Sequence, residues 1–346
     1  MKWSGKYQVA GGIIAGLAAT ELSLRLAFGL GNPVLIQADS ESGYRFQPNQ
    51  KVWRFGRTIK YNQYSQRSDT IAPQKPPGTL RILMTGDSVL NGGNVTDQPR
   101  TITELFEDKL SASGGEAEVL NASAGSWGIG NQLGYLQKFG TFGSDAVIIQ
   151  IGTHDLLQPT STRDAVGSIY FPNQRPILAM QEAWTRYAWP RIAGKLKVNS
   201  PKSEIPAASI EPNQQFEENM QHLKEIVTLV RDQQTHVFVL FTPNRADLLP
   251  SYQVLVYKAE FFDRLSDWQV PVVDSHAVWS TEPTGTVETY FRDIVHLSET
   301  GNQAVADLLY RQLCSSKQLP AMIFHDCQCL LELDSGSLKL NIVSLM

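Results

Sequence analysis

The sequence predicts an α/β protein: a three-layer α/β/α sandwich with a mostly parallel five-stranded sheet, carried behind an N-terminal transmembrane helix. Three observations predict it. From residue 79 onward, short apolar runs alternate with helical stretches, the pattern of a parallel sheet covered on both faces. Within that region Ala146–Ile151 is apolar at every position but Gln150, as a central strand buried on both sides requires. Ahead of it lies a mostly apolar stretch, Tyr7–Leu30, of 24 residues. As a helix it reaches about 36 Å, enough to cross a bilayer.

Taken in order, Lys2 and Lys6 precede this apolar stretch, and Glu21 and Arg25 interrupt it one helical turn apart, where they can pair. No small-x-small cleavage site follows, so residues 1–31 read as a signal anchor rather than a cleaved signal peptide. Lysines before the span place the remainder on the trans side, periplasmic or extracellular. Residues 32–78 form a basic preamble with strand-like alternation and several aromatics, closed by the stiff connector Pro73-Gln74-Lys75-Pro76-Pro77-Gly78.

The main domain, 79–315, begins with the strand Leu80–Thr85, and Ile102, Leu105, Phe106 and Leu110 make the stripe of the first helix. A strand at Ala117–Asn121 and a helix over 130–139 lead to the central strand. Phe216, Met220, Leu223, Val227 and Val230 mark a further helix. His236–Thr242 and Val270–Asp274 are the last strands, separated by helical residues 252–268. Ser298 caps a final helix carrying Val305, Leu308, Leu309 and Leu313. The alternation breaks once, in an insertion over 156–212 that is too long for an ordinary connection. Its Trp184, Tyr187 and Trp189 suit a small hydrophobic core of the insertion, with stacking on sugar rings as the other use. Residues 316–346 lose the helical pattern and read as a weakly ordered tail.

Composition narrows the function. A net charge of −4 argues against a dedicated nucleic-acid binder. The charge is uneven, +6 over residues 1–67 and −10 over the rest, so the preamble suits anionic headgroups or is simply a charged surface. The three cysteines, Cys314, Cys327 and Cys329, all fall near the C-terminus and provide no disulfide framework for the main domain. His325, Cys327 and Cys329 resemble a metal corner without a fourth ligand or the spacing of a zinc ribbon, and no metal site is assigned.

The first strand of the main domain runs into Gly86-Asp87-Ser88, which holds the Ser88 hydroxyl at the carboxyl edge of the sheet, where open α/β folds bind ligands. A serine hydroxyl becomes a nucleophile when an imidazole takes its proton and a third group orients that imidazole. His296, after the last strand and just before the capped helix, is the best base, and Asp293 can fold back onto its ring. His276 is the competing base. Donors for a developing oxyanion are available from the Ser88 N–H, from the small-residue loop at Gly125 and Ser126, and from His154 after the central strand.

These blocks resemble the SGNH (GDSL-type) hydrolase superfamily over about residues 79–314. The resemblance implies a flavodoxin-like sandwich, with Ser88 as nucleophile, His296 as base and Asp293 as the orienting acid. The second block departs from the family in having Ser126 where a glycine is usual, with Gly125 just before it; a backbone donor survives. The third block has His154 where the family has the asparagine that donates to the oxyanion, and a histidine ring reaches differently and can charge. The implied activity is hydrolysis of small acyl esters, with O-acetyl groups on envelope or extracellular polysaccharide among the substrates, and it requires no cofactor or metal. Two other uses of the same residues stay open here: O-acyl transfer to an exported polysaccharide, and non-catalytic glycan binding.

Overall fold

The computed structural model describes residues 5–195 and 210–315. His325, Cys327, Cys329 and the tail over 316–346 lie outside the described residues. Helix α1 (Gly5–Phe28) leads into two antiparallel hairpins, β1 (Ile36–Asp39) with β2 (Gly43–Phe46) and β3 (Gln50–Arg54) with β4 (Arg57–Tyr61). The central sheet contains β5 (Thr79–Gly86), β6 (Glu116–Ser123), β7 (Ala146–Gly152), β8 (His236–Thr242) and β9 (Val272–Asp274). Its order is β6-β5-β7-β8-β9 and every neighbouring pair is parallel, so the chain reverses its direction of travel between β5 and β7. Ligand crevices of doubly wound sheets lie at that switch point, outside the carboxyl ends of the strands.

Strand periodicity divides the core in two. Leu83, Val147, Ile149 and Val239 face one side with helices α4 (Ile129–Phe139), α7 (Pro212–Asp232) and α9 (Lys258–Asp267). Ile82, Met84, Ile148 and Leu240 face the other with α3 (Ile102–Ala112) and α12 (Glu299–Ser315). Alternate residues of one strand point to opposite faces, so a strand apolar at every position can serve both layers. Thr101 opens α3 by accepting the Glu104 N–H, and Ser298 caps α12 through the Gly301 N–H. Gly301 is required there, because a Cβ would lie 2.1 Å from the Tyr290 carbonyl oxygen.

The expected strands are present, and the differences have local causes. The last strand starts at Val272 rather than Val270, since Pro271 accepts the Val239 N–H (3.0 Å) but has no N–H to return to the ladder. Residues 252–257 form a loop ahead of α9, tied back by the Gln253 N–H on the Asp247 carbonyl (2.8 Å). The insertion contains α5 (Ala179–Glu182), a π-helical turn (Ala183–Ala188) and α6 (Trp189–Lys195) in one unbroken run. The wider turn precedes Pro190, whose missing N–H cannot continue the regular ladder. Trp184, expected to help form a core of the insertion, is half exposed.

The preamble shares its core with the main sheet. Tyr44, Ile59 and Tyr61 pack in the same apolar layer as Leu83 and Val147. Its positive charge is largely committed within the protein. Arg45, Arg54, Lys60 and Lys75 make ion pairs, and buried Arg67 donates to main-chain carbonyls.

Among these pairs, Arg54 and Glu182 are both buried, with Nη2 and Oε1 2.5 Å apart. Glu182 also accepts the Gly31 N–H at 2.6 Å, and Arg54 donates to the Gly29 carbonyl. This network fastens the foot of α1, the β3–β4 hairpin and the insertion together. Gly29, at φ 69°, ends α1 so close to the hairpin that a Cβ would lie 2.0 Å from the Trp53 carbonyl oxygen. Glu182→Gln leaves a buried guanidinium without its counter-charge. We expect it to destabilise the full chain in detergent by about 3 kcal/mol, measured by chemical denaturation.

Candidate active site

Ser88 opens the short helix α2 (Ser88–Asn91) immediately beyond β5. Asp87 forms this turn: its Oδ1 accepts the Val89 N–H at 2.8 Å, while its own N–H is held by Gln150 Oε1 on β7. The far side of the turn rests on the preamble. Buried Arg67 donates to the carbonyls of Asn91, Gly93 (2.7 Å) and Thr96 (2.6 Å), and Tyr61 Oη donates to Asn91 Oδ1.

His296 stands on a tight return between Tyr290 and Ser298. The Arg292 N–H bonds the His296 carbonyl, the Ser298 N–H bonds the Tyr290 carbonyl, and Phe291 bridges to Leu297. Its Nε2 lies 2.9 Å from Ser88 Oγ. Its Nδ1 lies 2.9 Å from Asp293 Oδ2, and Asp293 Oδ1 accepts the backbone N–H groups of Val295 and His296. Burial opposes ionisation of Asp293, but those N–H bonds and the imidazole outweigh it and hold the carboxyl below its ordinary range. The site is open: the Asp293 and His296 side chains are 44% and 33% exposed. The competing base His276 is buried, stacked on Tyr252, and occupied by Lys258 Nζ (2.9 Å) and the Asp247 carbonyl.

The loop after β6 faces the serine. A Cβ placed on Gly125 would lie 4.0 Å from the Ser88 Cβ. Tyr44 Oη donates to the Gly125 carbonyl (2.5 Å), and Ser161 Oγ donates to the Ser126 carbonyl. Both peptide planes are thereby held. Ser126 adopts a left-handed conformation, φ 61°, at the position where the sequence departs from a glycine.

His154, at the end of β7, has a different set of partners from the expected one. Its Nε2 lies 2.8 Å from Asp87 Oδ2 and its Nδ1 lies 3.0 Å from Asn244 Oδ1. Both partners are acceptors, so both ring nitrogens carry hydrogens and the ring is an imidazolium with no N–H left for an oxyanion. Burial works against that charge. The carboxylates of Asp155 and Asp87 and the Asn244 oxygen outweigh it and push the imidazole up to about 10. Burial and the nearby Asp87 push Asp155 up to about 7. Burial also disfavours the Asp87 carboxylate, but His154 and the Val89 N–H hold it below its ordinary range. Asp87, His154 and Asp155 lie close enough to be metal ligands, and in this arrangement both His154 ring nitrogens face acceptors instead.

The structure thus brings Ser88, His296, Asp293, Gly125 and Ser126 to one edge and turns His154 toward Asp87. The sequence reading missed Arg67, Tyr44, Gln150 and Asn244. Gln150 lies inside a run read as apolar, Tyr44 reads as one of several preamble aromatics, Arg67 sits in an irregular segment beyond the second hairpin, and Asn244 carries no local signal.

Comparison with known proteins bears on this arrangement. The model of the GDSL-like lipase/acylhydrolase family matches residues 84–304. No curated protein sequence matches the chain. Among solved structures the chain is similar to TesA, at 14% identity over 67% of this chain and 97% of that one, TM-score 0.43. It is similar to the acetyl xylan esterase AlAXEase at 13% identity over 68% and 100%, TM-score 0.44. A lipase/acylhydrolase from Enterococcus faecalis is 19% identical over 68% and 95%, TM-score 0.39. With the matched region running from β5 into α12, the chain belongs to the GDSL-like lipase/acylhydrolase family of ester-hydrolysing enzymes.

Proposed function

We propose that this protein is a membrane-anchored serine esterase that hydrolyses small acyl esters through Ser88, His296 and Asp293. O-acetyl groups on envelope or extracellular polysaccharide are the substrates this reading favours. The single observation that carries it is the 2.9 Å contact between Ser88 Oγ and His296 Nε2, with Asp293 on the opposite ring nitrogen.

In this mechanism Ser88 Oγ attacks the ester carbonyl carbon while its proton passes to His296 Nε2. Asp293 keeps the Nδ1–H in place and stabilises the imidazolium. The carbonyl π electrons move onto oxygen, where the N–H of Ser88 and the Gly125–Ser126 backbone donate. Collapse expels the alkoxide, which takes the proton from His296, and leaves an acyl-Ser88. Water then attacks the acyl carbonyl and gives its proton to His296; collapse breaks the bond to Ser88 Oγ, which takes that proton back from His296, and the acid and the free serine are released.

His154 is reassigned from oxyanion donor to counter-charge. Without it, the buried Asp87 carboxylate beside Ser88 would oppose the negative charge that develops on the nucleophile and the substrate oxygen. Helix α1, long and apolar enough to cross a membrane, with Lys2 ahead of it and Lys6 in its first turn, is the anchor, and the hydrolase domain lies on its trans side.

Hydrolysis of short-chain nitrophenyl esters by the full chain tests the triad. Ser88→Ala and His296→Ala should each lower kcat by a factor on the order of 10⁴ or more, and the double variant should cost little beyond either one. Full activity in His296→Ala would refute the assignment. Supplying a glycan hydroxyl with an acetyl donor measures how much of the acyl-enzyme goes to water, and this reading predicts free acetate as the main product.

The charge pair gives a separate pH test. His154 has a raised value, so its contribution to stability is complete below about 6.5 and is lost as pH rises to about 10. The stability difference between wild type and His154→Gln, from denaturation at a series of pH values, should therefore shrink across that window. A constant difference would contradict the pairing.

A further inference from the structure

The foot of α1 carries an apolar, aromatic collar that the esterase chemistry does not use. From Lys6 to Thr20 every α1 residue is exposed; only at Glu21, Leu24 and Arg25 does the helix begin to touch the domain. What it touches is the insertion. Glu21 accepts the N–H groups of Ala179 (2.8 Å) and Met180 (3.0 Å), and Arg25 donates to the Ile177 carbonyl (2.9 Å). Glu21 and Arg25 also pair with each other at 2.7 Å, which accounts for two charges inside an apolar helix.

Depth follows from length. A transmembrane helix needs about 20 apolar residues to cross the hydrocarbon core. Counted from Lys6, that span ends at about Arg25, so the segment bonded to Glu21 and Arg25 is drawn down to the membrane surface. The residues presented there are those an interface selects. Ile177 is 86% exposed and Trp184 53% exposed, and Phe28, Trp53, Phe55 and Ile192 are exposed beside them. Ring contacts tie parts of this surface together: Phe55 packs on Phe28 (6.2 Å between ring centres) and on Tyr187 (5.7 Å), and Trp184 packs near Trp189 (6.2 Å). Aromatic rings concentrate at the headgroup level because they combine an apolar body with a polarisable or hydrogen-bonding edge. The buried Arg54–Glu182 pair locks the hairpin and the insertion behind the collar, so the surface moves as one piece with α1.

We propose that this collar, formed by the α1 foot, the tip of the β3–β4 hairpin and residues 177–192, rests in the headgroup region of a phospholipid bilayer. The hydrolase domain is then clamped on the membrane surface at a fixed orientation rather than held on a loose tether. The inference rests on reading α1 as a membrane span.

The test uses the full chain reconstituted into phosphatidylcholine vesicles with bromine placed high on the acyl chains. The emission of Trp184 is isolated as the difference between wild type and Trp184→Phe, a substitution at a half-exposed position. Alkaline carbonate extraction is run in parallel to report on α1 alone. The collar predicts extraction-resistant protein whose Trp184 emission falls by about half in brominated vesicles. Extraction-resistant protein with unquenched Trp184 would overturn the collar while leaving the span intact. Extraction of the protein by carbonate would overturn both.

Discussion

The contact between Ser88 Oγ and His296 Nε2 joins residues 208 positions apart, and most of the polar structure at the carboxyl edge holds one end or the other. On the serine side, Asp87 caps the turn and Gln150 on the neighbouring strand holds its backbone. On the histidine side, Asp293 bonds the ring and two backbone N–H groups of the same return. Each of these bonds restricts a rotation that would otherwise carry the hydroxyl out of reach of the imidazole. The preamble belongs to the same support, since Arg67 grips the segment following the serine and Tyr44 holds the facing loop.

A buried carboxylate next to the proposed nucleophile is a liability for chemistry that develops negative charge. Asp87 meets this liability with His154, whose two ring nitrogens both face acceptors and which therefore stays charged. The charge and the geometry are coupled: an asparagine at position 154 could donate to Asp87 but could not neutralise it. The departure at this position therefore changes the electrostatics of the turn as well as its hydrogen bonding. Asp155, pushed up by the same crowding, belongs to this cluster and not to the proposed triad.

The sheet was legible because its strands are apolar at nearly every position. The runs ending in Thr85, Ile151 and Thr242 have no helical alternative of sufficient length. Ser88, Asp293 and His296 were legible because they follow the first and last strands, where topology brings loops to one edge. What was not legible depended on contacts across long stretches of chain. Nothing near Arg54 announces Glu182, and nothing near His154 announces Asn244. The helical run in the insertion was hidden by Pro190, which reads as a breaker and is accommodated by a π turn. Trp184 read as core because aromatic clusters usually are, and it is half exposed.

The account stands most directly on the reactivity of one hydroxyl. Exposing the full chain to a fluorophosphonate and mapping the adduct by mass spectrometry should place it on Ser88, with labelling strongly slowed in His296→Ala and absent in Ser88→Ala. An adduct on another serine, or no adduct on a folded chain, would contradict it.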